Sequence, residues 1–208
     1  GLIAHSNGLL FFAAEDAAHG REPWSSDGVS AWLVEDILPG PDPSLDLSDP
    51  LLFYLGATPF FAPVAAGIVL LADDGVHGQE PWLSDGTAAG TELIVELGAG
   101  DAGTEPGYWQ SWLPPIVLDS TVLFRSRDTE RRHLLARSDG TASGTSVIAL
   151  LDGQTSAFLP RASELGIYAN PPFDLCWGPL GSGAILRAFD AATGDEPWFS
   201  DGTPGGTW

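Results

Sequence analysis

Short apolar runs separated by turn-forming residues recur along the whole chain. Residues 9–14 are almost wholly apolar, as in an inner strand that is covered on both faces. Residues 91–97 alternate instead, with Glu92 and Glu96 facing away from the apolar positions, as in a strand with one face in water. The Asn-Gly pair at positions 7 and 8 is typical of a tight hairpin. This pattern predicts an all-β fold of short antiparallel strands.

The predicted strands group into four copies of one unit, and each copy is anchored by Ser-Asp-Gly. The anchoring aspartates lie 58, 54 and 62 residues apart. A period in the fifties is too long for most α-solenoids and suits four-stranded propeller blades. Glu-Pro-Trp precedes the anchor in copies one, two and four, copy three has Leu-Leu-Ala there, and a further aspartate stands eleven residues before every anchor. The residues that the copies share are Asp16, Glu22, Trp24, Asp27 and Gly28; Asp74, Glu80, Trp82, Asp85 and Gly86; Asp128, Asp139 and Gly140; and Asp190, Glu196, Trp198, Asp201 and Gly202.

The repeat predicts a single domain over residues 1–208. Its units lie at approximately 1–40, 57–100, 114–153 and 178–208, and its connectors at 41–56, 101–113 and 154–177. We expect each unit to be a four-stranded antiparallel blade. The four visible repeats are expected to form a β-propeller-like array, either a four-bladed ring or part of a larger propeller.

Recurrence favours a structural role for the shared residues, because a fold needs the same turn in each unit and an enzyme needs one asymmetric site. The aspartate of Ser-Asp-Gly is expected to accept backbone amides, and its glycine to supply a positive φ. A tryptophan that recurs once per unit is expected to pack between neighbouring blades. The proline of Glu-Pro-Trp predicts an irregular third strand.

Other interpretations of the same residues stay open. Asp74, Glu80 and Asp85 are candidate calcium ligands, since carboxylates are hard-ion ligands. The repeated Asp–Glu pair is also a candidate acid and base, and the tryptophans are candidate platforms for sugars. His19 and His77 occupy equivalent turn positions and are expected to be exposed. No catalytic residue is assigned, and no cofactor is expected apart from the calcium alternative.

Composition narrows the classes of partner. The formal net charge is −20, with eight arginines and no lysine. This balance argues against a nucleic-acid binder and against an anionic membrane surface as partner. Five arginines fall in copy three and form a candidate partner-binding or anion-binding patch. These are Arg125, Arg127, Arg131, Arg132 and Arg137.

The remaining composition bears on compartment and membrane insertion. A single cysteine, Cys176, has no partner for an internal disulfide and is expected to be a buried thiol. No apolar run reaches the roughly 18 residues of a membrane span, so no insertion is expected. The chain contains no methionine and is expected to be a mature or excised piece of a longer protein.

The motif Glu-Pro-Trp-x-Ser-Asp-Gly-Thr-x-x-Gly-Thr, followed by an apolar strand and Pro-Gly, resembles the ELWxxDGT repeat, also labelled hyalin-like, of bacterial secreted and surface proteins. Units one, two and four match strongly, whereas unit three keeps only Ser-Asp-Gly-Thr-x-x-Gly-Thr. Proline stands where the family has leucine. The resemblance implies an extracellular or envelope location in a bacterium and a propeller-like β fold, and it carries no catalytic residues to transfer.

Together these observations predict a non-enzymatic module for protein–protein interaction, assembly or adhesion, with other protein subunits as partners. The alternative is a lectin-like propeller that binds carbohydrate through its tryptophans. A less favoured alternative is a hydrolase with its site in the 154–177 connector, beside Glu164 and Asp174.

Overall fold

A computed structural model describes residues 4–45, 60–98, 115–127, 133–151, 177–190 and 194–208. Within these ranges the chain forms fifteen β-strands and two short 3-10 turns. The predicted all-β class is therefore confirmed.

The strands form four antiparallel sheets, and strands that are consecutive in the chain lie side by side in each sheet. Sheet A contains β1 (Ala4–Ser6), β2 (Leu9–Asp16), β3 (Gly20–Ser26) and β4 (Ala31–Leu33). Sheet B contains β5 (Phe61–Val64), β6 (Gly67–Asp73), β7 (Gln79–Ser84) and β8 (Thr91–Leu93). Sheet C contains β9 (Ile116–Leu118), β10 (Thr121–Arg127), β11 (His133–Ser138) and β12 (Ser146–Leu150). Sheet D contains β13 (Trp177–Leu180), β14 (Gly183–Asp190) and β15 (Gly194–Ser200). A single bridge from Ser200 to Thr207 stands where sheet D would have a fourth strand.

The first hairpin of sheet A has the turn that its sequence predicts. Asn7 and Gly8 both have a positive φ, 51° and 82° respectively. Two consecutive positive φ angles match the twist of the flanking strands, which is why Asn-Gly is preferred there. The turn pairs Ser6 with Leu9 and fixes the register of β1 against β2.

The fourth strands are shorter than the sequence predicts, because the proline of Glu-Pro-Trp ends their pairing. β8 stops at Leu93, and the next amide, that of Ile94, donates to Pro81 O over 2.9 Å. The nitrogen of Pro81 faces the same side and carries no hydrogen to continue the ladder. Pairing of Pro81 with Leu71 on the other side is regular. The predicted irregularity thus lies between the third and fourth strands.

Sheet C shows the same region without the proline. Leu135 stands at the position of Pro81, and the ladder between β11 and β12 continues as far as Leu134 and Leu150. Its register shifts between Leu135 and Ala136. The third copy therefore has a longer fourth strand at the cost of one bulge-like irregularity.

The sheets stack in chain order, and a hydrophobic cluster fills each of the three spaces between them. The first strands run beside one another, β1 next to β5, β5 next to β9, and β9 next to β13. Residues from consecutive sheets share a cluster: Phe11 with Ile68 and Leu70, Val69 and Leu71 with Val122 and Phe124, and Leu123 and Leu135 with Ala184 and Leu186.

Within the described ranges, another sheet covers strand β2 on one face only, which corrects the prediction for residues 9–14. Phe11 is buried in the cluster between sheets A and B. Leu10 and Phe12 point to the other face, where Leu10 is 36% exposed and Phe12 is half-buried. Neither belongs to a hydrophobic cluster of the described residues. The apolar run makes β2 suitable for burial on both faces, but among the described strands a second sheet packs against only one of them.

Candidate functional site

The Ser-Asp-Gly turn is a closed set of hydrogen bonds. Asp85 Oδ1 accepts the Thr87 amide over 2.9 Å and the Thr87 hydroxyl over 2.7 Å. Thr87 in turn caps a 3-10 turn at Ala88–Gly90 and accepts the Gly90 amide through Oγ1. The aspartates that make the same bonds in copies three and four are Asp139 and Asp201. In copy one, which has a shorter turn, Asp27 accepts the amides of Val29 and Ser30.

In copies three and four these bonds stabilise the ionised form of the aspartate. The hydroxyl of Thr141 holds the pKa of Asp139 below its ordinary value, and that of Thr203 does the same for Asp201. The predicted turn role of the anchoring aspartates is confirmed.

Glycine is needed at two positions of the turn, and the physical reason differs between them. Gly86 has a φ of 95°, which is the positive φ that the sequence predicts. Gly90 does not have a positive φ, but a Cβ there would lie 2.2 Å from Asp85 Oδ1. The second glycine therefore leaves room for the aspartate carboxylate.

Sequence reasoning missed the serine of the motif and the second threonine. Ser84 is buried, its Oγ lies 2.8 Å from Thr91 Oγ1, and it accepts the Gly86 amide over 3.1 Å. The pairs Ser138–Thr145 and Ser200–Thr207 repeat this contact. The signal was the recurrence of both residue types in three copies, six residues after the aspartate for the threonine.

The earlier turn of each unit joins an aspartate to a histidine. Asp74 accepts the amides of Val76 and His77 through Oδ1, and its Oδ2 lies 2.7 Å from His77 Nδ1. Asp16 and His19 form the equivalent pair, with Asp16 Oδ2 2.9 Å from His19 Nδ1. The histidine side chains are 37% and 38% exposed, as expected for turn residues.

The pairing shifts the pKa of each member. The hydrogen bond to Asp16 raises the pKa of His19, and the same bond lowers the pKa of Asp16. Burial acts to raise the pKa of Asp74, but the amide and ring of His77 outweigh it and lower that pKa. The backbone of Asp190 pairs with Gly194 at the corresponding place in sheet D, and Asp128 lies outside the described residues.

The motif glutamate is a buried carboxylate that fastens the chain leaving the fourth strand. Glu80 is 0% exposed, and its Oε2 and Oε1 accept the amides of Leu97 and Gly98 over 2.9 and 2.8 Å. Glu22 is equally buried and accepts the amides of Ile37 and Ser44 together with the Ser44 hydroxyl. We refer to this arrangement as the glutamate latch.

Burial favours the protonated form of the two glutamates in the latch. It raises the pKa of Glu80 to about 7, against the opposing effect of the Leu97 and Gly98 amides. It also raises the pKa of Glu22, against the bonds from Ser44 and Ile37. Asp74 and Glu80, which the sequence offered as an alternative acid and base, accept hydrogen bonds from different backbone amides. In copies three and four the latch is absent from the described residues, since Leu134 replaces the glutamate and Glu196 is exposed.

The repeated tryptophans are half-buried, and two of them pack between sheets. Trp82 lies against the cluster between sheets A and B, and Trp198 against the cluster between sheets C and D. Trp24 belongs to no cluster of the described part of the chain. A different tryptophan links two sheets directly, since Trp32 Nε1 donates to Gly86 O over 2.9 Å.

The arginines of copy three do not all contribute to an exposed patch. Arg125 is buried, and its strand position faces sheet D together with Leu135, its cross-strand partner. Arg137 donates from Nη1 to Gly202 O over 3.0 Å and so links sheets C and D. Strand alternation explains this, because both positions share a face with buried Leu123. The side chains of Arg127, Arg131 and Arg132 lie outside the described ones.

The carboxylates do not converge on a metal site in the described ranges. No group of three or more His, Cys, Asp and Glu side chains there is arranged to hold an ion. The calcium candidates Asp74, Glu80 and Asp85 each accept hydrogen bonds from separate backbone amides. Cys176, Glu164 and Asp174 lie outside the described residues. The described part of the chain has no helix of the length and apolar character that a membrane crossing requires.

Comparison of the chain with known protein-family models, with curated proteins and with solved structures finds no match. The resemblance to the ELWxxDGT repeat therefore rests on the motif residues alone.

Proposed function

We propose that the chain is a non-enzymatic β-propeller-like module of a bacterial secreted or envelope protein, acting in protein–protein interaction, assembly or adhesion. The stacking of four antiparallel sheets in chain order, with first strands side by side, supports a propeller-like arrangement.

The hydrogen bonds that the motif residues make support a non-enzymatic role. The aspartates, serines and threonines of the turns bind each other and the local backbone, and two glutamates hold strand ends. Within the part of the chain that the structure describes, motif groups that make the same structural bonds in several copies do not form one site where a nucleophile, a base and an oxyanion donor converge.

The observation that carries an interaction function is the pair of apolar faces at the two ends of the stack. We define the sheet A end face by Leu10, Phe12 and Trp24, and the sheet D end face by Leu180, Ile185, Phe199 and Trp208. Leu10 is 36%, Leu180 53% and Trp208 73% exposed. Exposed apolar surface of this kind marks protein–protein contacts, because its burial releases water.

Site-specific photo-crosslinking in the cells that naturally produce the chain tests this proposal. A benzophenone side chain at position 10 or position 180 is expected to capture proteins, and one at Val76 is not. Val76 is the matched control, since it is 64% exposed but lies in a turn away from both end faces. Absence of adducts at both end faces would overturn the interaction function.

A further inference from the structure

Each interface between consecutive sheets has two unlike halves. The later sheet contributes the face that holds the motif tryptophan position and the second-strand residue paired with it. The earlier sheet contributes its other face, which points away from its own motif tryptophan position. Leu70 pairs with Trp82, Phe124 with Ala136, and Leu186 with Trp198, and these three second-strand residues are buried against the preceding sheet. We call this face the incoming half and its partner the outgoing half.

Sheet A presents an incoming half without a partner among the described residues. Phe12 pairs with Trp24 and so occupies the position of Leu70, yet it is only half-buried. Leu10 is 36% exposed, whereas its equivalent in sheet B, Ile68, is fully buried. An apolar residue thus occupies this position in all four sheets, and it is buried in the three sheets that have a preceding sheet packed against them.

The turn glycines give an independent indication. A Cβ on Gly86 would lie 2.5 Å from Leu9 Cδ1, and one on Gly140 would lie 3.1 Å from Leu83 Cδ1, both on the preceding sheet. A Cβ on Gly202 would lie 3.7 Å from Leu123 Cδ2. A Cβ on Gly28, the equivalent glycine of sheet A, would meet nothing within 4 Å. Among the described residues, the glycine of the Ser-Asp-Gly turn in sheet A therefore has no neighbour at the place where the other three glycines face the preceding sheet.

Sheet D presents the complementary outgoing half. Phe11, Val69 and Leu123 are the buried outgoing residues of sheets A, B and C. Ile185 holds the same position in sheet D and is half-buried. Its cross-strand partner Phe199 lies 5.9 Å from Trp208 between ring centroids, so the face is broad and aromatic.

We propose that the sheet D end face of one copy of this chain binds the sheet A end face of a second copy, in the arrangement that consecutive sheets adopt within the chain. This proposal rests on the proposed interaction function and names its partner. The three interfaces inside the molecule are the observed precedent, since within the described residues the two end faces are the halves of that same contact that have no partner. A head-to-tail contact of this type gives a closed ring or an open chain of copies.

Charge sets the conditions for this association. Each copy carries a formal charge of −20, so two copies repel over long distances at low ionic strength. The contact itself is apolar and does not depend on ion pairs. Association is therefore expected to strengthen as salt is added, which is the opposite of an interface held by opposite charges.

The test uses the purified 208-residue chain, measured by sedimentation velocity and light scattering over a range of concentrations and salt. Wild type is expected to form concentration-dependent oligomers. Phe12→Asp, on the sheet A end face, and Phe199→Asp, on the sheet D end face, are each expected to weaken association about tenfold or more. Val76→Asp adds the same charge away from both faces and is expected to behave as wild type.

Mixing the two end-face variants distinguishes a head-to-tail contact from other arrangements. Phe12→Asp keeps a normal sheet D face, and Phe199→Asp keeps a normal sheet A face, so the mixture retains one intact contact. A dimer containing one copy of each is expected, although neither variant associates alone. A symmetric contact between two identical faces would instead leave one variant able to associate by itself, and that result would overturn the proposal.

Two further outcomes are decisive. A wild-type chain that stays monomeric at every concentration and salt overturns the proposal, and closure of the two end faces within one molecule would give that result. If the photo-crosslinks in cells then still capture other proteins, the interaction function stands with a different partner. If neither self-association nor crosslinks are found, the interaction function is also overturned.

Circular dichroism checks that each variant is folded. Leu10→Glu and Leu180→Glu, at more exposed positions of the two end faces, replace any variant that fails to fold.

Discussion

At the scale of single residues, the aspartate of Ser-Asp-Gly and the glycine five positions later form one steric unit. The carboxylate of Asp85 fills the space that a side chain on Gly90 would need. The aspartate role was predictable from sequence, because its hydrogen-bond partners lie two residues away. The reason for Gly90 was not, because it depends on where that carboxylate points once the turn has closed.

Gly90→Ala is expected to destabilise the protein by about 1–3 kcal/mol, since the new methyl group overpacks against Asp85. Gly205→Ala is the matched control. It lies in the equivalent 3-10 turn at Pro204–Gly206, and its Cβ would meet nothing within 4 Å. The control is expected to be neutral or to stabilise by up to about 1 kcal/mol through the unfolded state. Urea unfolding measures both, and equal effects of the two substitutions would contradict the steric reason.

At the scale of elements, the glutamate latch decides how the chain leaves the fourth strand. Pro81 ends the ladder, and Glu80 then binds the amides of Leu97 and Gly98, which no strand pairs. The sequence revealed that Glu and Pro occur together, but not that the glutamate binds amides 17 and 18 residues away. Which amides the glutamate binds depends on the path that the chain takes after the fourth strand. The predicted strand over residues 91–97 was too long at the same place, because Pro81 ends the regular pairing after Leu93.

Replacing Glu80 by Gln is expected to flatten the dependence of stability on pH. Burial raises the pKa of Glu80 from its ordinary 4.5 to about 7 in the folded state. Between these values the unfolded chain has released the proton and the folded chain still holds it, so the free energy of unfolding falls as pH rises. The total contribution is on the order of 3 kcal/mol, present below pH 4.5 and lost by about pH 7.

Urea unfolding of wild type and of Glu80→Gln between pH 4.5 and 8 measures this difference. His77 and Glu96 lie near Glu80 and remain in both proteins, so the comparison isolates Glu80. At low pH the variant is expected to be less stable by about 1–3 kcal/mol, because an amide cannot accept both backbone N–H groups equally well. Glu92→Gln, an exposed position on the same sheet, should keep the wild-type slope. A variant with an unchanged slope would rule out a raised pKa for Glu80.

At the scale of the whole molecule, equivalent positions differ because their neighbours differ. The repeat predicted the number of sheets and their antiparallel strands, since turn signals recur with each copy. It did not predict that Phe12 and Leu10 lie on a face that no other described sheet covers, because an apolar residue shows only that burial is favourable. Arg125 shows the converse, since a charged residue lies buried between sheets C and D.

Leu70→Ala is therefore expected to cost about 2–5 kcal/mol of stability, and Phe12→Ala at the equivalent position about 1–2 kcal/mol, although phenylalanine loses more atoms. Leu70 is fully buried between two sheets, whereas Phe12 is only half-buried. Chemical unfolding in dilute solution, where copies are apart, provides the measurement. A larger loss for Phe12→Ala than for Leu70→Ala would show that its face is covered within one molecule.

The hydrogen bonds that cross between sheets use unlike donors and the same kind of acceptor. Trp32 donates to the carbonyl oxygen of Gly86, and Arg137 donates to that of Gly202. A carbonyl oxygen of the main chain is present whatever side chains surround it. Different copies of the repeat in this chain therefore use an indole or a guanidinium as the donor to the same carbonyl position. In these two contacts the link between adjacent sheets depends on the main chain of the Ser-Asp-Gly turn and not on one particular donor side chain.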